Sequence, residues 1–396
     1  LHTIRFSLLA AVAWLTSAAN LSLAAEPATA VLVGQSPFQS ERFTAADGQI
    51  RFETDGQAKT VDMQELVVWG TLPQARPHKQ ILLADGGVLL AEIVKSDSDR
   101  LTVDSYLFGE VGFPLENLAG ILLSPPADLK RRDELEFRIR DANGEDDRLI
   151  LDNGDELTGT IATLSDMETE LESSAGKIKV ELARVAAIVF NPSLRAVPPQ
   201  RSVRAIVGVS DGSWLMAESI VTRDKQIELN ATSGAKLKVN ADRVKYLQPL
   251  GGRVTYLSDL KPSGYRHVPF LQLPWQWKAD RNVLGTRLRA GGELCLKGIG
   301  MHSASRLSFP LDGRYRRFEA KLAIDDQTAG AGSVVFRVFL DTEQAYASPV
   351  IHGGDAPTEV AIDLPKSART LSLIVDFAER GDEQDHANWL NARLVE

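Results

Sequence analysis

The strongest constraint on this chain is a plan that recurs three times before residue 250. One copy reads "ILLADGGVLLAEIV" and then "RLTVDSYLFGEVGFPLENLAGILLSP". The next reads "LILDNGDELTGTIATL" and "METELESSAGKIKVELARVAAIVFNP"; the last reads "IVGVSDGSWLMAESIV" and "KQIELNATSGAKLKVNADRVKYLQPL". Each opens on a short apolar strand and a tight turn, at Asp85-Gly86, Asn153-Gly154 or Asp211-Gly212. Such dipeptides accept the positive φ of a two-residue hairpin. A second strand, a third alternating strand, another Gly turn and a closing apolar strand follow. Repetition at this period marks an array of small β units.

The array divides into β-barrel-like repeats at 79–126, 148–196 and 197–249. A degenerate copy occupies 26–78, where "DGQIRFETDGQAKTVDMQELVVWG" carries two Asp-Gly turns. Residues 127–147 form a charged insertion or linker. Each unit resembles the small Sm-like or SH3-like barrels. A barrel of this size buries little core and is marginal alone, so the units are expected to pack on one another. None offers a phosphate loop, a histidine cluster or a nucleophile beside a base, which points to a spacer or interaction scaffold.

Residues 1–25 are of another kind. His2 and Arg5 precede an apolar run from Phe6 to Leu15 and then small residues, the order of a secretory signal peptide. The expected location is therefore outside the cytoplasm: periplasmic, cell-envelope or secreted. A retained anchor is the alternative, although the run is short for a permanent span. The chain carries 44 basic against 53 acidic residues, net −9, which disfavours nucleic acid as a partner. Cys295 is the only cysteine. No intrachain disulfide or thiolate metal site can form, and a buried inert thiol is the expected role.

From Gly251 the strands lengthen and alternate. "FEAKLAID" puts Phe318, Ala320, Leu322 and Ile324 on one face; "SVVFRVFLD" does the same with Val334, Phe336, Val338 and Leu340. "TEVAIDLP" and "TLSLIVDF" repeat the pattern with Val360, Ile362 and Leu364, and with Leu371, Leu373, Val375 and Phe377. A period of two with no sustained helical period indicates an antiparallel β-sandwich with its loops gathered at the two ends. The fold class is all-β.

Four blocks in this region appear in order: "VTYLSDLKPSGY", "KGIGMHSASRLSFPLDGRYRRFEAKLAIDD", "GSVVFRVFLD" and "DHANWLNARL". In these blocks residues 251–396 resemble the NPCBM family, the carbohydrate-binding module first noted at the N-terminus of family 98 glycoside hydrolases. The resemblance implies a jelly-roll sandwich of galactose-binding-like type and a galactose- or galactosamine-type glycan as partner. The whole architecture resembles exported planctomycete-type proteins that carry the module without an enzyme. Two positions depart from the family pattern: Ser303 stands for Ala in "GMHSAS", and Asn388 for Asp in "DHANW". Loss of a charge at Asn388 bears on both sugar affinity and any cation there.

The candidate ligand-binding residues are Trp275, Trp277, Lys297, His302, Asp325, Asp326, Asp385, His386, Asn388 and Trp389. Trp275 and Trp277 offer flat apolar area for a sugar face, or a lid over the sandwich. Lys297 and His302 flank one pocket across the close backbone approach that "KGIG" allows. Asp325 and Asp326 end a strand, where they accept sugar hydroxyls, hold a structural calcium ion or cap a turn. In strand geometry His386, Asn388 and Leu390 share one face, and Asp385, Ala387 and Trp389 the other. Asp385 and His386 are expected beside Lys297 or His302 at one end of the sandwich, and Trp389 either contacts ligand or enters the core. No cofactor is expected. The "GxSxG" match at Gly208–Gly212 falls on the Asp211-Gly212 hairpin turn rather than on a strand-to-helix elbow, and the chain lacks "HExxH", so an exported, non-catalytic carbohydrate-binding protein is the leading reading. The alternative is an envelope protein–protein interaction scaffold whose module has lost its sugar.

Overall fold

The computed structural model describes residues 27–396 apart from 55, 98, 175, 197–202 and 270–272. The signal-like segment 1–25 lies outside the described residues. No helix among the described residues is long and apolar enough to cross a membrane.

Residues 28–250 form four units of one strand order. Each closes through a single 3-10 turn, at Met63–Glu65, Leu115–Asn117, Leu182–Arg184 and Ala241–Arg243. The strand that follows returns antiparallel to the strand that opened the unit. Thus Leu66–Gly70 pairs with Ala28–Leu32, and Leu118–Leu122 with Gln80–Leu83. Val185–Val189 pairs in the same way with Asp147–Leu151, and Val244–Leu250 with Arg204–Val209.

The entry hairpins of the last three units share their chemistry. Gly86, Gly154 and Gly212 take φ of 101°, 91° and 93°, a region open to residues without a Cβ. The Oδ1 atoms of Asp85, Asn153 and Asp211 accept the backbone N–H two residues on, at 2.8, 3.0 and 2.8 Å, the turn these side chains favour. Closing strands also pair between units: Leu118–Leu122 with Val185–Val189, and Leu66–Gly70 with Val244–Leu250. One apolar cluster therefore runs from Ala30 to Leu247.

The charged insertion is not a bare linker. Leu129–Arg140 is an α-helix, capped by Asp128, whose carboxylate accepts the Arg131 N–H. It is the one α-helix among the described residues. Its buried face holds Arg132, Asp133, Glu136, Phe137 and Ile139. Because that face is largely charged, it shows no apolar stripe in the sequence. Arg132 donates to the Pro126 and Ala75 carbonyl oxygens, at 2.9 and 2.8 Å, while the two carboxylates are met from outside the array.

Residues 254–395 form two facing sheets and a separate hairpin, Leu288–Ala290 with Glu293–Cys295. One sheet runs Lys278–Ala279, Gly298–His302, His386–Val395, Arg317–Ile324 and Thr358–Asp363, with Val254–Tyr256 paired to His386–Val395. The other runs Gly264–His267, Ser305–Pro310, Thr370–Phe377, Ser333–Leu340 and Glu343–Ala347, with Ile351–His352 on its fourth strand. Phe309, Phe318, Leu322, Phe336, Val338, Leu373 and Trp389 fill the space between them. The alternating residues lie inward as the period requires, except that Phe377 is exposed where its strand ends.

The helix joins the two regions. Asp133 takes two hydrogen bonds from the Arg289 guanidinium and one from the Arg287 backbone N–H at 3.0 Å. Glu136 accepts from Arg287 and, at 2.7 Å, from Arg140. Arg281 makes a two-pronged pair with Asp141 at 2.6 and 2.7 Å and lies over the Phe137 ring. Burial alone would raise the Glu136 pKa, but the Arg287 and Arg140 charges overcome this and hold it at about 2. Beside this polar seam, Ile139, Leu250, Val254, Tyr256 and Leu296 belong to one apolar cluster drawn from both regions.

Stripping one member of a buried ion pair leaves the other charged and dry, at a cost of about 3–5 kcal/mol. Asp133→Ala, which strands Arg289, is therefore expected to lower the stability of the full chain by about that amount in urea titrations. An unchanged midpoint would show that the seam is hydrated and loose.

Candidate functional site

At one end of the sandwich, next to the helix, lies a cavity of about 490 Å³. Lys130, Leu273, Trp275, Leu284, His302, Gln327, Asp382, Gln384 and His386 line it. Strand register brings the two histidines together, because His302 stands opposite His386 on neighbouring antiparallel strands. The glycines of "KGIG" have a definite role here. A Cβ on Gly300 would lie 2.4 Å from the Arg281 carbonyl oxygen. Glycine at that position lets the segment bearing Arg281 and Asn282 cross the strand and carry Leu284 to the cavity.

The Trp275 indole lies parallel to the His302 imidazole, with centroids 4.7 Å apart and planes within 2°. His386 sits 5.9 Å from both rings, and His267 6.0 Å from His302. The Trp275 backbone is pinned from the strand Gly264–His267: its N–H donates to His267 Nδ1 at 3.2 Å, and its carbonyl accepts the Tyr265 hydroxyl at 2.8 Å. Burial lowers the His302 pKa to about 4, with His267 adding to the effect and Asp382 opposing it. Burial likewise lowers His386 to about 4, helped by His302 and Lys130. Both are neutral imidazoles at neutral pH, each with one donor and one acceptor nitrogen. The Nδ1 atoms of both are buried without a hydrogen-bond partner, as is Gln327 Oε1.

The residues expected to share this site divide. Trp275, His302 and His386 meet at the cavity, and Asp385 and His386 do lie at the His302 end. Lys297 does not. It is at the opposite end of the strand Gly298–His302, buried, with its ammonium 2.6 Å from both Asp259 and Asp280. Burial pulls its pKa down, and the two carboxylates more than reverse that. Trp389 is fully buried between the sheets, edge-on to Phe336 at 5.0 Å, so it serves the core and contacts no ligand. Trp277 packs against the same core.

The remaining polar candidates are occupied by protein partners beneath or beside the cavity. Asp325 is buried, takes the Asn388 amide at 2.6 Å and the Arg289 and Gln327 N–H groups at 3.3 and 3.1 Å, and caps a 3-10 turn. Asp326 accepts the N–H groups of Gly291 and Gly292 at 2.9 and 2.8 Å. Asp385 is buried and accepts the Ser333 N–H at 2.9 Å. Burial pushes its pKa up to about 6, against the Ser333 and Ser303 hydrogen bonds. Among the described residues no group of three or more His, Cys, Asp or Glu side chains is placed to hold a metal ion. The half-buried Cys295 thiol is pushed up to about 11 by burial, which removes nucleophilic character.

Sequence reasoning missed Lys130, Gln327, Asp382, Gln384, Leu273 and Leu284. Asp382 and Gln384 lie in the same polar stretch as Asp385 and His386, and Gln327 directly follows Asp326. Proximity to those motifs could have found them; nothing local marks Lys130.

The histidines set a pH response. Between about pH 6.5 and 4 an unfolded chain protonates His302 and His386 while the folded chain does not, so stability falls as pH falls through that window. Asp385 acts in the opposite sense between about pH 6 and 3.8, where the fold favours its protonated form. Two imidazoles outweigh one carboxyl. The stability difference between wild type and a His302→Gln/His386→Gln variant should therefore shift against the wild type as pH falls from 6.5 to 4, read from urea midpoints. A difference that does not change with pH contradicts this.

Residues 253–395 match the NPCBM/NEW2 domain. A Renibacterium salmoninarum protein named for endo-alpha-N-acetylgalactosaminidase activity is 31% identical over 111 residues, which is 28% of this chain and 7% of the relative. Alpha-1,3-galactosidase B of Akkermansia muciniphila is 32% identical over 117 residues, 29% of this chain and 15% of the relative. The chain thus spans only a small part of the length of these curated relatives. The CBM51 module of Clostridium perfringens GH95, solved in complex with methyl-galactose, is 26% identical. That match covers 36% of this chain and 99% of the module, with a TM-score of 0.32. What the comparisons find in this chain is a C-terminal sandwich that matches the NPCBM/NEW2 domain.

Proposed function

We propose that this is an exported, non-catalytic glycan-binding protein whose sandwich holds a galactose-type sugar in the cavity beside Trp275. The observation that carries the reading is the cavity lining. Trp275, Leu273 and Leu284 supply apolar surface. His302, His386, Gln327, Gln384 and Asp382 supply polar groups. A sugar presents the same combination, an apolar ring face edged by hydroxyls that both donate and accept. Neutral imidazoles, each with one donor and one acceptor nitrogen, match such hydroxyls. The names of the two curated relatives, which act on N-acetylgalactosamine and galactose linkages, support a galactose-type ligand.

A non-catalytic role is supported by the single carboxylate on the cavity wall. Glycoside hydrolysis ordinarily uses a flanking pair, whereas among the described residues Asp382 is the only acidic side chain lining this cavity. Export rests on the signal-like order of residues 1–25.

A small sugar in a half-open cavity binds weakly, on the order of millimolar, or about −4 kcal/mol. A glycan array with the full chain, followed by calorimetry, tests the reading. Trp275→Ala and His386→Ala are each expected to weaken galactose binding about tenfold or more, roughly the loss of one or two hydrogen bonds or a stacking face. Absence of any glycan binding by the folded wild type sinks the proposal in favour of a protein-interaction scaffold. Variants that fold and bind as the wild type does would move the site elsewhere.

A further inference from the structure

We propose that the cavity is a shared site, in which Lys130 of the array-borne helix receives an acidic substituent, a sulfate or a carboxylate, on the sugar seated against Trp275 and His386. This rests on the glycan reading above and extends it to a ligand class and to a residue outside the NPCBM/NEW2 domain.

Lys130 lines the cavity although it belongs to the insertion at 127–147, far from the sandwich in sequence. Its position is not incidental. Lys130 lies one helical turn before Asp133, and residues three apart share a helix face. Asp133 is clamped by the Arg289 guanidinium and the Arg287 N–H. The Arg289 N–H in turn donates to Asp325, which also holds the N–H of the cavity residue Gln327. A continuous set of buried hydrogen bonds thus fixes the helix turn that presents Lys130 relative to the cavity floor.

The Lys130 ammonium is poorly neutralised. Its one ion-pair partner among the described residues is Glu134, at 4.0 Å with both side chains about half exposed, a geometry that contributes little. Asp382 also lines the cavity, so the acidic group of such a sugar has to be seated at Lys130 and away from that carboxylate.

Calorimetric titrations of the full chain with galactose, galactose 6-sulfate, galacturonate and sodium sulfate test this. Wild type is expected to bind at least one acidic sugar about fivefold more tightly than galactose, the fold-change of about 1 kcal/mol that a partly exposed ion pair provides. In Lys130→Gln the ratio of acidic to neutral affinity should fall to about one, and Lys130→Arg should retain it. The gain should also shrink at high salt. Acidic sugars that bind no better than galactose, or a gain that survives Lys130→Gln, overturn the inference while leaving the glycan reading intact. Sodium sulfate binding as tightly as the sugar sulfate overturns it as an anion site without sugar recognition. If no sugar binds at all, galactose included, the glycan reading fails and this inference falls with it.

Discussion

The buried pairing of Asp133 and Glu136 with Arg289 and Arg287 is the interaction on which the assembly of this chain depends. Without it the insertion would be a charged loop beside the β array, since its helix lacks an apolar stripe. With it, all four oxygens of the two carboxylates accept hydrogen bonds, and the paired cations Arg287 and Arg289 come from the sandwich region. Such a seam is specific rather than sticky. A charge left unpaired there is costly, so it strongly favours one relative placement of helix and sandwich. The apolar contacts of Ile139, Leu250, Tyr256 and Leu296 then close around that placement.

The cavity's character follows from how deeply its histidines are set. An exposed imidazole would titrate near neutrality and present mixed charge to a ligand. Burial among Trp275, His267 and each other keeps His302 and His386 neutral, leaving a wall of dipoles and one flat aromatic edge. On the same strand as His386, Asn388 donates to the buried Asp325, which backbone N–H groups of Arg289 and Gln327 also hold, and Trp389 on the alternate face anchors that strand in the core. One strand, His386–Val395, thus serves the site on one face and the sandwich interior on the other.

Much of this was legible. Asp-Gly and Asn-Gly turns marked the hairpins of the array because only a small set of residues tolerates that backbone. Period-two alternation marked the sandwich and placed His386 and Asn388 opposite Trp389. Lys297 was misassigned because five residues along a strand, at roughly 3.3 Å each, separate it from His302 by the length of the strand. The helix was illegible for a physical reason: its buried face carries Asp133 and Glu136, which read as solvated charge unless their arginine partners, more than a hundred residues away, are known. Lys130 shares that obscurity. Asp128 at the helix start was the one local signal, a capping carboxylate before a run of good helix formers.

The central claim is that a sugar seats in the cavity walled by Trp275, His302 and His386, with the helix as its far side. A crystal structure of the full chain soaked in galactose tests it most directly. Density for the sugar against Trp275, within hydrogen-bond distance of a histidine ring nitrogen, is the predicted result. A sugar bound on another loop cluster of the sandwich, with this cavity holding none, would contradict the account.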